Sequence, residues 1–406
     1  MGFASGAGVA SKLFFLALAF TACGSSKSPA GESGGDSSSD PGAGGSSSGG
    51  KTSTAHGGRP SSSSAGAGSS NDDAGSGPIA EATPSGLWYG GVSLCGFAHE
   101  QLAASSDNNP QVIVPLADVS AVTDVAFDAN GNAWVVGTGS DSVFRFSAAS
   151  LAEPTSAKPD LELSSADLSD PGNLTFDSNG SLWVATRPPM KNGRVEPGSV
   201  LRFSIPDDAS GKLSLSAAAQ ISSTTEDDLD LIGNITFDSD HNLWLSSLVG
   251  LLRFDNPLKK KGTLALDPGA VIDKSGYDDN QYFYSIAFDS SGALWAASGD
   301  GLHYLTSVTE FADPGSLEGR SSPDVTAKIM GPADLLPAGG IAFDATGNLW
   351  MARGNGLVMY SDPGSLSGTV SPDADLTIDV KGDAVPSTNS HLSFAPLPSA
   401  NAPTTR

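Results

Sequence analysis

Six positions in this chain repeat one chemical theme. Asp124, Asn173, Asn234, Ser285, Gly340 and His391 each stand three residues before a phenylalanine; four offer a side-chain oxygen and one an imidazole. Oxygen-bearing side chains gathered at one point suit a hard cation such as Ca2+, with Asp124, Asn173 and Asn234 as ligands, or they orient a polar ligand. The same residue types also bond readily to nearby backbone amides, so a purely architectural role stands beside the chemical one.

Other residues could add to such a site. Arg187 opens a basic insert, 187–194, on an acidic protein, and Arg353 follows the last of several Leu-Trp pairs. Tyr282 and Tyr284 end an aromatic and acidic stretch, 277–284, whose rings could stack on sugars or a peptide. Loops on a rigid scaffold are where specificity resides, which makes these residues ligand-binding candidates. Arg353 could equally pair with neighbouring carboxylates. The chain has two cysteines, and Cys95 reads as a small buried hydrophobe rather than a nucleophile. No cysteine or histidine spacing offers a zinc site, and no residue stands out as catalytic.

The elements that must position these residues are strands. Trp134, Trp183, Trp244, Trp295 and Trp350 each lie seven residues after a phenylalanine, as in FDSNGSLW; a sixth, Trp88, lacks that phenylalanine, and HLSF at 391–394 lacks a tryptophan. The two halves complete each other. A strand-rich repeat of this length predicts an all-β, six-bladed β-propeller closed by pairing N-terminal strands with a C-terminal strand. Within each unit, residues such as Ile235-Thr236-Phe237 form the inner strand, and an Asp-x-x-Gly turn at Asp128, Asp177, Asp289 and Asp344 leads to the tryptophan strand. VFRF, VLRF, LLRF, GLHY and GLVMY read as third strands, with His303 where other copies have arginine or valine. DLELS, TLAL, DVTAKI, DLTIDV and QVIVPL read as outer strands.

The repeat resembles those of the NHL, SMP-30/gluconolactonase and streptogramin-lyase-like propellers, and the Leu-Trp strand resembles two-component-regulator propeller repeats. The resemblance covers the chain from about residue 87 onward. It implies the fold far more than an activity. Lactonase metal ligands would fall at Thr123, Gly172, Gly233, Tyr284, Gly339 and Ser390, none of them acidic.

Residues 1–22 read as a signal peptide with a short apolar run, Leu13 to Phe20, and Thr21-Ala22-Cys23 resembles a bacterial lipobox with Phe20 departing from the usual leucine. Lipidation of Cys23 would anchor the chain to a membrane, and Ser25 resembles an outer-membrane sorting residue; an ordinary secretory signal is the alternative. Residues 23–86 are Gly/Ser-rich and predict a disordered tether, and 87–406 the propeller. The net charge of −24 lies mostly in 87–406 and argues against nucleic acid. These features together predict a monomeric cell-envelope lipoprotein whose propeller binds a protein, peptide or glycan. The alternative is a lactonase/hydrolase- or lyase-like enzyme with a divergent, Ca2+-dependent channel site.

Overall fold

The computed structural model describes residues 86–395 apart from 108, 118, 155–156, 188–196, 225–228, 278–281, 300–304, 331–338, 382–384 and 387–390. Cys23, most of the basic insert, the acidic stretch 226–228 and His303 therefore lie outside the described residues, as does Ser390.

Six sheets stand around a closed ring of inner strands. These are Ala121–Phe127, Pro171–Phe176, Asn234–Phe237, Tyr282–Phe288, Ile341–Phe343 and Leu392–Phe394, and each contacts the next, with the last touching the first. We number the blades 1 to 6 in that order. Blade 6 pairs the C-terminal strand Leu392–Phe394 with Gly86–Gly90, followed by Ser93–Ala98 and Val112–Pro115. The chain's two ends thus share one sheet, and the ring closes without a free inner edge.

The tryptophans explain why the units cohere. Each indole of one blade meets the phenylalanine of the next edge-on, from Trp88–Phe127 at 5.6 Å round to Trp350–Phe394 at 6.4 Å. Each of the six apolar clusters joins two neighbouring blades, so no blade buries its faces alone. Cys95 belongs to one of them, fully buried, with its thiol pushed up to about 12 by desolvation.

The turn aspartate does more than cap a turn. Asp177 Oδ1 accepts the backbone N–H of Asn179 and Ser181, while Oδ2 accepts the Trp183 indole N–H at 2.8 Å. Asp128, Asp238, Asp289 and Asp344 hold their tryptophans in the same way at 2.9–3.0 Å. Gly131, Gly180, Gly292 and Gly347 take φ of 76–89°, and His241 takes 67° in the third copy. Blade 6 has Ala395 where this aspartate would stand, and the buried Trp88 Nε1 has no hydrogen-bond partner.

Two strand assignments from the sequence are corrected. The third strand of blade 4 is Leu305–Phe311, downstream of GLHY, and it sets Glu310 rather than His303 opposite Trp295. TLAL is not the outer strand of blade 3, which is Ala270–Asp273. Gly262–Leu266, which contains TLAL, crosses to blade 2 and adds a parallel fifth strand. The same crossing is made by Gly211–Ser214 onto blade 1, Gly319–Ser321 onto blade 3 and Gly368–Val370 onto blade 4. All four begin on a glycine at φ of 61–74°, a left-handed turn that other residues resist.

Candidate functional site

The inner strands of blades 1, 2 and 4 carry bulges, at Thr123, Gly172 and Tyr284, which re-aim the residue that follows each of them. The residues so placed are Asp124, Asn173 and Ser285, which stand with Asn234 and His391 at or before the start of the conserved apolar triplet of each inner strand. All five are buried.

Most of their polar atoms latch one blade to the next. Asp124 Oδ2 accepts the N–H of Leu174 in blade 2 at 2.9 Å, and its Oδ1 accepts that of Val125 at 2.8 Å. Asn234 Oδ1 accepts from Ile286 N in blade 4, and Ser285 Oγ from Ile341 N in blade 5, both at 3.1 Å. Thr123 Oγ1 donates to the Gly172 carbonyl at 2.9 Å, and the His391 N–H donates to the Thr123 carbonyl at 3.2 Å. The Asp124 and Asn234 oxygens proposed for Ca2+ are therefore engaged with amides, and that of Asn173 with the Arg187 guanidinium. Among the described residues no group of three or more His, Cys, Asp or Glu side chains comes together.

His391 reaches across the ring. Its Nδ1 lies 3.3 Å from Ser285 Oγ two blades away, and a bond to the Gly233 backbone ties it to blade 3. Gly340 makes this possible, since a Cβ there would fall 2.6 Å from His391 Cα and 2.7 Å from Leu392 N. Burial, with the Arg187 charge behind it, pushes His391 down to about 3, so the ring is neutral at physiological pH.

Arg187 follows the second strand of blade 2 and lies flat against Gly172, where a Cβ would meet Nε at 2.2 Å. Its Nη2 donates to the Gly172 carbonyl and to Asn173 Oδ1, both at 3.4 Å, and its Nε finds no acceptor. Burial lowers the guanidinium's pKa while the charges of Asp170 and Asp124 oppose the shift. Asp124 is pushed up to about 7 by desolvation, which outweighs its two amide bonds and the nearby Arg187. Asn173 is 0% exposed; its amide lies on the Asp124 side, yet Nδ2 has no partner in hydrogen-bond geometry. Arg187 Nε is thus left without an acceptor, and the contact of the Asn173 amide with Asp124 is poorly aligned.

The remaining candidates stand apart. Arg353 is ion-paired with Asp379, the outer strand of its own blade, and so points along the blade. Tyr282 carries the Lys274 ammonium 3.7 Å over its ring. Tyr284 occupies the blade 4 bulge and is half-buried. Arg187 thus lies against Gly172 and Asn173, and the bare backbone at Gly172 and Gly340 is what admits Arg187 and His391, a signal that the repeat spacing did not carry.

No family model matches the sequence, and no curated protein matches it. Several solved structures do resemble the model. A protein of unknown function from Bacteroides caccae aligns with TM-score 0.50 and 10% identity over 77% of this chain and 100% of its own. Virginiamycin B lyase from Staphylococcus aureus aligns with TM-score 0.40 and 15% identity over 70% of this chain and 79% of its own. PQQ-bound aldose sugar dehydrogenase from Streptomyces coelicolor aligns with TM-score 0.44 and 14% identity over 64% and 82%. The likeness is one of fold.

Proposed function

We propose that the propeller is a binding module that takes an acceptor-rich ligand, a protein segment, peptide or glycan, at the channel mouth. The observation that carries this reading is Arg187 Nε, buried without an acceptor, next to an Asn173 Nδ2 whose contact with Asp124 is poorly aligned. Leaving a buried donor unpaired costs about 1–3 kcal/mol, so a ligand carbonyl, carboxylate or hydroxyl oxygen that accepts from Arg187 Nε gains that stabilisation on binding. The surrounding latches hold the two donors in place. On this reading Cys23 carries a lipid that anchors the chain to the cell envelope, at the outer membrane, with the tether lifting a monomeric propeller clear of the surface. At roughly 45 Å, the reach of a Gly/Ser coil of this length suffices. No helix among the described residues is long and apolar enough to cross a membrane.

The test is equilibrium binding of the purified protein to panels of envelope oligosaccharides and peptides, with Arg187→Met beside wild type. Ligands retained by wild type and lost by the variant, at unchanged fold, support the reading. Binding that ignores the substitution overturns it.

A second reading is favoured by one observation. Asp124, pushed up to about 7, stands beside the half-buried Arg187, a pairing suited to a general acid or base at neutral pH. A lactonase- or lyase-like activity, with or without Ca2+ at Asp124, Asn173 and Asn234, would then be abolished by Asp124→Asn. Turnover unaffected by that substitution would remove this alternative.

A further inference from the structure

The face away from the channel mouth carries a second repeated device. In blades 1, 2 and 3 the residue opposite the tryptophan in the third strand is an arginine: Arg145, Arg202 and Arg253. Each guanidinium lies 5.5–5.9 Å from the centre of its indole. Each also donates to backbone carbonyls of the segment that crosses over from the next unit. Arg145 Nη2 reaches the Ala209 carbonyl at 2.7 Å, Arg202 Nη2 that of Lys260 at 2.8 Å, and Arg253 Nη1 that of Gly315 at 2.7 Å and Pro314 at 3.4 Å. A cation sandwiched between an indole and a set of carbonyl oxygens thus fastens each crossing segment.

Blade 4 keeps every part of this device except the cation. Trp295 is there, opposite Glu310. The crossing segment is there too, and it repeats the one before it: Asp313-Pro314-Gly315-Ser316-Leu317 recurs as Asp362-Pro363-Gly364-Ser365-Leu366, with a 3-10 turn over Pro314–Ser316 and again over Pro363–Ser365. Its strand Gly368–Val370 docks on blade 4 as Gly319–Ser321 docks on blade 3. The residues that correspond to Pro314 and Gly315, whose carbonyls meet Arg253, are Pro363 and Gly364 in this copy. Glu310 is only 5% exposed, and its Oε2 is buried without a hydrogen-bond partner.

A buried carboxylate oxygen with no donor is costly unless something positive joins it. We propose that blade 4 binds a hard, oxygen-seeking cation, Ca2+ foremost, between Glu310 and the backbone carbonyls at Pro363–Ser365, in place of the arginine of its sister blades. Ca2+ accepts a mixed shell of carboxylate, backbone carbonyl and water oxygens, which is the donor set here. The raised pKa of Glu310, caused by burial and then by the nearby Asp289, fits a carboxyl that lacks a positive neighbour. Asp289 itself is occupied by Ser291, Ala293 and the Trp295 indole, so Glu310 is the side chain that answers to the ion.

The site is tested on the full chain with Tb3+, whose luminescence a neighbouring indole sensitises on excitation of tryptophan. Wild type should show one saturable Tb3+ site that Ca2+ displaces, and Ca2+ should raise its Tm relative to EDTA. Glu310→Gln, which keeps the shape, should lose both responses. Glu310→Arg, which restores the sister-blade arrangement, should fold as stably as Ca2+-loaded wild type and ignore Ca2+. A wild type with no saturable site, or one whose site persists in both variants, overturns the proposal.

Discussion

Replacing Ala395 by aspartate should stabilise the ring at its closure. Five of the six tryptophans give their indole N–H to an aspartate six residues upstream, whereas Trp88 Nε1 is buried and unpaired, with Ala395 at the vacant acceptor position. An unsatisfied buried donor costs about 1–3 kcal/mol, and a bond to a charged acceptor contributes about 1.5–3 kcal/mol. The gain is offset by desolvating a carboxylate, which in the sister turns also accepts two backbone amides. The expected net effect of Ala395→Asp is about 1 kcal/mol, or roughly 2 °C in Tm for a domain of this size. The assay is a double-mutant cycle with Trp88→Phe, followed by urea denaturation. The phenylalanine background removes the indole donor, so the gain should vanish there, with a coupling of about 1 kcal/mol. A substitution whose effect is the same in both backgrounds would refute the reasoning.

Three further outcomes follow from the ring and its crossings. Gly340→Ala should destabilise by about 2–3 kcal/mol in denaturant titrations, because its Cβ would meet backbone atoms of blade 6 that have no room to withdraw. Arg253→Met, which copies Met359 of blade 5, should cost about 1–2 kcal/mol and speed amide exchange in Gly319–Ser321, since the indole stack and the Gly315 bond both go. The pH dependence should split by residue. Folded Asp124, at about 7 against an ordinary 3.8, keeps a proton that the unfolded chain releases, so its contribution falls as pH rises from 3.8 to about 7. Folded His391, at about 3 against 6.5, refuses a proton that the unfolded chain binds, so its contribution rises from about pH 3 to 6.5 and is flat above. His391→Gln should therefore leave a falling stability profile between pH 4 and 7, and Asp124→Asn a rising one. Thermal midpoints across that range measure both.

The blades were legible in the sequence because their signals are local and repeated. The constant Phe-to-Trp spacing reflects a turn whose aspartate must reach the indole, and the split between Trp88 and Phe394 revealed the closure. Side-chain pairings between blades were not legible, because spacing within a unit says nothing of which neighbour a residue faces. The tryptophan of each copy meets the phenylalanine of the next copy, not its own. The crossing strands were missed, or in the case of TLAL assigned to the wrong blade, because they are largely exposed, as at Gly262–Leu266, and pair with a blade other than their own unit's. Their one signal is the glycine at positive φ that starts each. GLHY resembled a third strand by composition alone, while TSVTEF fits the ladder opposite Trp295. At the channel mouth, residue types were readable but their direction was not. That direction depends on bulges and on the bare backbone of Gly172 and Gly340.

The central claim is that ligand meets this protein at Arg187 and Asn173. Amide hydrogen exchange of the full chain, with and without a ligand found in the binding panels, tests it most directly. Protection gathered in residues 170–174, 232–235 and 283–286, around the channel mouth, is the predicted result. Protection confined to the outer and crossing strands, with the inner strands unchanged, would contradict it.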